Sequence, residues 1–159
     1  MEPIKTIDKM NELSQKKLDL VKEMLLFTRS EKEAIVSGRM EDLETFLNEK
    51  QVRMDAVDKL DEEFIAYSAR LKSALSVESL EDLPRHHLPG AKELKEVVVT
   101  IHQLIGEIKS LEDENITLAK AELRETKEKI DQAENFKRVK GAYQPVNANV
   151  PSYFFDTKK

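Results

Sequence analysis

The sequence predicts an all-α protein, an elongated bundle of three long helices packed in a coiled-coil-like way. Three observations predict it. Charged residues make up 36% of the 159-residue chain and aromatic residues only 6%, with no Trp, a balance that favours long helices over a compact enzyme fold. Apolar residues recur at intervals of three and four over most of the chain, as one face of an α-helix requires. Helix-breaking residues are rare and grouped at Ser37-Gly38-Arg39, at Pro84 to Gly90 and from Gly141 onward.

Pro3 suits the first turn of a helix, where its missing N–H costs nothing. Helix one is expected over about residues 4–36. Its apolar positions are Ile7, Met10, Leu13, Leu20, Val21, Met24, Leu25, Phe27, Ala34 and Ile35, with Lys17 and Glu31 interrupting the stripe. An acid on a buried stripe must be paired or must lie at its edge. Gly38 supplies a left-handed C-cap. Helix two follows over about 40–75, with Glu41, Asp42 and Glu44 favourably placed near its positive end. Its stripe is Leu43, Phe46, Leu47, Met54, Val57, Leu60, Phe64, Tyr67, Leu71 and Leu75. A connector this short between long amphipathic helices predicts an antiparallel hairpin.

Residues 76–90 form the only long connector, with room for one short helical turn capped by Ser76 and ended by Pro84 and Pro89. The third helix is expected over 91–140, roughly 75 Å at about 1.5 Å per residue. Its first part carries Leu94, Val97, Val98, Ile101, Leu104, Ile105, Ile108 and Leu111; beyond Leu123 only Ile130, Phe136 and Val139 are large and apolar. Residues 91–123 therefore complete the bundle and 124–140 outrun it. Residues 1–140 make one helical domain and 141–159 an extended tail. That tail holds Tyr153, Phe154 and Phe155 in a segment too short to bury them alone, so they dock on the protein's own helices or on a partner.

The same features exclude several functions. The net charge of −5 argues against nonspecific nucleic-acid binding, although residues 137–159 carry five Lys/Arg against one Asp. With no cysteine, disulfides and thiolate metal sites are ruled out. No apolar run is long enough to span a membrane, and the N-terminus lacks a signal-peptide layout, so the chain reads as cytosolic. The four glycines are scattered singly and make no phosphate cradle. Arg85-His86-His87 lacks metal-ligand spacing, and His102 has no carboxylate three or four residues before it, since Val98 and Val99 stand there. No cofactor, metal or catalytic centre is expected. Long apolar stripes and a tail suit the binding of another amphipathic helix, with the late third helix around Leu118, Leu123, Ile130 and Phe136 as the binding surface. The alternative is a structural coiled-coil protein or adaptor that assembles with copies of itself.

Several short segments resemble a known family. Glu31-Lys32-Glu33-Ala34-Ile35-Val36-Ser37-Gly38, then Leu43, Phe46-Leu47 and Lys50, is similar to the first hairpin of FlgN-type flagellar export chaperones. Glu114-Asn115-Ile116-Thr117-Leu118 resembles that family's Asn-x-x-Leu segment in the last long helix. Tyr143-Gln144-Pro145 resembles its tail tyrosine, and Phe155-Asp156-Thr157-Lys158 an ending found in some members. Two positions depart from the pattern. Arg39 stands where many members place Asp or Asn, and Val146-Asn147-Ala148-Asn149 stands where Gly commonly follows the tyrosine. The resemblance implies a cytosolic chaperone that binds the C-terminal amphipathic helices of hook-associated proteins and delivers them to the flagellar export gate. It also implies that Asn115 and Leu118 belong to the partner-binding helix and that Tyr143 contacts a gate component.

Overall fold

The computed structural model describes residues 2–79, 81–82 and 88–129. Three α-helices account for nearly all of them: α1 over Pro3–Val36, α2 over Met40–Leu75 and α3 over Ala91–Lys129. Among the described residues there is no strand, and no helix is long and apolar enough to cross a membrane. The expected helices match these bounds closely, except that the stretch from Ile130 to Lys140 lies outside the described residues, as do His86, His87 and the tail.

Sharp caps end α1 and α2. Gly38 adopts φ +69°. Its N–H bonds to the Ile35 carbonyl at 3.2 Å, and the Arg39 N–H reaches back to the Ala34 carbonyl at 2.8 Å, a Schellman arrangement. The same pair of bonds closes α2, from Ser76 N–H to Ser73 O and from Val77 N–H to Lys72 O, with Ser76 at φ 55°. Ser76 therefore ends the second helix instead of capping a turn in the connector. Ser79 takes that role: its Oγ accepts from the Glu81 N–H at 3.2 Å, in a single tight turn at Glu81–Asp82. Arg39, at the position where an Asp or Asn would cap α2, instead pairs through its guanidinium with Asp42 at 3.2 Å.

The chain divides into two compact units. The first comprises the described residues of Met1–Lys22 and Asp55–Ile105. Ile7, Met10, Leu71, Ala91 and Leu94 form its core, with Phe64, Tyr67, Leu75, Val77, Leu88 and Val98 packed around them. Gly90 is required here for two reasons. It sits at φ +86°, and a Cβ would come within 3.0 Å of both Asn11 Nδ2 and Ile7 Cγ2. Asn11 Nδ2 in turn donates to the Gly90 carbonyl at 3.1 Å, tying α1 to the start of α3. Lys17, the first interruption of the α1 stripe, pairs with Asp61 of α2 at 2.6 Å, both largely withdrawn from solvent. Burial raises the Asp61 carboxyl above its usual range, and the Lys17 contact only partly offsets this.

The second unit comprises Glu23–Met54 and the described residues from Gly106 onward. Ala34, Ile35, Leu43, Leu47 and Ala119 form a core at the α1–α2 turn, flanked by Met40, Phe46, Leu118 and Leu123. The Phe27 and Phe46 rings meet at 6.1 Å, and the Arg53 guanidinium lies 4.7 Å over Phe27 while pairing with Glu23 and Glu49. At the start of the α3 segment Gly106 is exposed, and a Cβ there would meet no atom within 4 Å. Gly106→Ala is expected to stabilise the protein by about 0.5–1 kcal/mol, because glycine in a helix interior loses more backbone entropy than alanine. A urea midpoint that rises with an unchanged slope would show this; a lowered midpoint would contradict it.

The buried positions reveal a strict heptad. On α1 the seam runs Ile7, Met10, Ser14, Lys17, Val21, Met24, Thr28, Glu31, Ile35, and on α2 Leu43, Leu47, Lys50, Met54, Val57, Asp61, Phe64, Ser68, Leu71, Leu75. The apolar pattern includes the interruptions at Lys17 and Glu31 but not the seam positions Ser14 and Thr28 on α1, nor Lys50, Asp61 and Ser68 on α2. It also passed over Leu18, which is buried, while Leu20 is only half-buried. Leu18 lies four residues after Ser14 and three before Val21, on the same face as both.

Candidate partner-binding segment

The second half of α3 carries the candidate site, so its surroundings are described residue by residue. Along this segment the seam positions are Ile108, Glu112, Asn115 and Ala119, all buried, followed by Glu122 and Thr126, both half-buried. Polar residues thus occupy most of the seam beyond Ile108. Leu123 packs with the cluster at the α1–α2 turn. Lys109, Ser110, Asp113, Glu114, Thr117, Lys120, Arg124 and Glu125 are exposed, and Arg29–Glu107 and Lys32–Glu114 pair across to α1 at 2.9 and 3.9 Å on the surface. Surface pairs of this kind contribute little stability, roughly 0–1 kcal/mol each.

Leu111 and Leu118 flank the seam on one side and Ile116 and Leu123 on the other, all four half-buried. Leu118 and Leu123, candidates for partner contact, lie here with part of their surface against the turn core and part open. Asn115 is placed differently. It is buried, and its amide donates to the Thr28 carbonyl of α1 at 3.0 Å. The side chain is spent inside the bundle. Ile130, Phe136, Tyr143, Tyr153, Phe154 and Phe155 lie outside the described residues. His102 is exposed on α3.

Beneath this segment lies a layer of charged side chains that the apolar pattern did not reveal. Lys50 of α2 is fully buried, and its ammonium contacts Glu31 of α1 at 2.9 Å and Glu112 of α3 at 2.8 Å, with both carboxylates about 95% buried. It donates a hydrogen bond to Thr28 Oγ1 at 3.1 Å, and that hydroxyl donates to the Met24 carbonyl at 2.8 Å. In this layer Glu31 Oε2, both carboxylate oxygens of Glu112 and Asn115 Oδ1 are buried without a hydrogen-bond partner among the described residues. Burial pushes the Glu31 carboxyl above its usual range, more than the opposing attraction of Lys50 lowers it.

The layer explains why Glu31 can sit on a buried stripe: it is paired. Glu31, Lys50 and Asn115 also belong to segments that carry the family resemblance, the first two to the hairpin and the third to the last helix, and the fold brings them together. The signal that would have found Lys50 and Glu112 is register, since both fall on heptad seam positions. Among the described residues no grouping of His, Asp and Glu is arranged to hold a metal ion. Comparison with known families shows a match over residues 1–145 to the family model described as FlgN protein. No curated protein and no solved structure matches the chain.

Proposed function

The chain belongs to the FlgN family of flagellar export chaperones, and from that premise we propose that it binds the C-terminal amphipathic helices of hook-associated proteins in the cytosol and hands them to the export gate. The observation that supports this placement is the flanks of late α3: Leu111, Ile116, Leu118 and Leu123 are only half-buried and keep apolar surface partly open. A client helix laid along these flanks and onward over Ile130 and Phe136 buries its own apolar face, which would otherwise drive premature association. Each anchor contributes roughly 1.5–3 kcal/mol on burial, so four or five give micromolar binding or better after ordering costs. Tyr143 and the aromatic tail residues Tyr153, Phe154 and Phe155 then serve the gate or the client.

Calorimetric titration with the C-terminal peptide of a hook-junction protein tests this reading. Wild-type protein is expected to bind, and Leu123→Asp with Ile130→Asp to weaken binding at least tenfold. Because Leu123 also touches the turn core, Ile130→Asp alone is measured beside the pair, with helicity checked by circular dichroism. No binding by wild type, or equal binding by the folded variants, would remove this placement. Sedimentation at low micromolar concentration, with and without the peptide, separates a client chaperone from a protein that only assembles with itself.

A further inference from the structure

The charged layer at Lys50 contains more negative charge than it neutralises. Glu31 approaches from α1, Lys50 from α2 and Glu112 from α3, giving one cation for two carboxylates, all buried. The neighbouring charged groups turn elsewhere: Arg29 and Lys32 of α1 pair outward with Glu107 and Glu114 of α3, and Arg53 of α2 pairs with Glu23 and Glu49. The neutral members, Thr28 and Asn115, add no charge. Acceptors also exceed donors. Lys50 hydrogen-bonds Thr28 and is within ion-pair distance of both carboxylates, while Glu31 Oε2, both Glu112 oxygens and Asn115 Oδ1 have no hydrogen-bond partner. A single proton balances the charge and reduces the donor deficit, since a protonated carboxyl is neutral and is itself a donor.

We propose that the Glu31 carboxyl takes up a proton when the second unit packs, so that this layer acts as a pH-sensitive latch holding the second half of α3 to the α1–α2 hairpin. The proton comes from solvent as the layer closes and returns to solvent as it opens. Burial raises the affinity of Glu31 for a proton in the closed state, so the closed state binds more protons than the open one above the ordinary glutamate value of about 4.3. The latch is therefore tightest at and below that value and loosens as pH rises through the raised value of the closed form. Within that window the opening equilibrium grows by up to about tenfold per pH unit for one proton. The latch does not depend on which client the segment binds.

Hydrogen exchange of the intact protein between about pH 5 and 8, corrected for the intrinsic pH dependence of exchange, tests the proposal. In the wild type the protection of residues 106–129 is expected to fall with rising pH by up to tenfold per unit. Glu31→Gln, which mimics the neutral carboxyl, is expected to abolish that slope while leaving the behaviour of residues 91–105 unchanged. A flat wild-type profile, or an unchanged slope in Glu31→Gln, would overturn it. Should Glu31→Gln not fold, Glu31→Met supplies a second untitratable side chain. Infrared spectroscopy of the wild type then provides an independent readout: a protonated-carboxyl band in the folded protein that disappears on raising pH supports the latch, and its absence throughout the range refutes it.

Discussion

Lys50→Met is expected to be the most damaging single substitution among the described residues, with a loss of about 3–5 kcal/mol, the cost of stranding buried charge by removing its partner. Lys50 is fully buried and is the shared cation of Glu31 and Glu112. Methionine fills a similar volume, so the loss measures electrostatics more than a cavity. For a chain of this size each kcal/mol lowers the melting temperature by roughly 2–4 °C, so the midpoint should fall by about 6–20 °C. Two companions identify the cause. Lowering the pH should recover part of the loss, because protonation neutralises the stranded carboxylates. Lys50→Met combined with Glu31→Leu and Glu112→Leu should return to wild-type stability or exceed it, since a packed apolar layer of similar volume often matches a buried ion pair. A loss below about 1 kcal/mol for Lys50→Met in urea denaturation would mean that the layer is not closed as described.

Ile108→Ala is expected to cost about 2–5 kcal/mol, the range for truncating a large buried aliphatic side chain and leaving a cavity. Ile108 is fully buried at a seam position of α3, in the unit built with the α1–α2 turn. Val99, at 46% exposure on the same helix, supplies the contrast. Val99→Ala should fall within about 0.5 kcal/mol of wild type, as surface changes usually do. Equal effects at the two positions, measured from denaturant midpoints with unchanged slopes, would contradict the heptad seam on α3. A loss at Ile108 with client binding preserved would also separate the stability of α3 from its proposed use as a binding surface.

Much of the helical framework was legible because its signals are local. The bounds of α1 and α2 and the start of α3 follow from Pro3, the Gly38 cap, the apolar spacing and Gly90, and each signal acts within a turn or two of the residue that carries it. The connector was harder. Ser76 and Ser79 are both competent capping residues, and only the geometry at the end of α2 assigns the left-handed position to Ser76 and the accepting Oγ to Ser79. The family was legible too, through short segments, and the family model matches over residues 1–145.

The candidate site divides differently. Leu118 and Leu123 were visible as apolar residues near the end of a thinning stripe, and they do lie at the edge of the turn core. The sequence placed Asn115 on the right helix. It could not show that the amide faces inward to Thr28, because that bond joins residues 87 positions apart. By itself the sequence determined three amphipathic helices, their breaks and the family, since periodicity and punctuation are properties of neighbouring residues. Only the tertiary structure decided that Glu31, Lys50 and Glu112 share one buried layer. Charge pairing depends on distances of a few ångströms between side chains from three helices, and no local pattern specifies them.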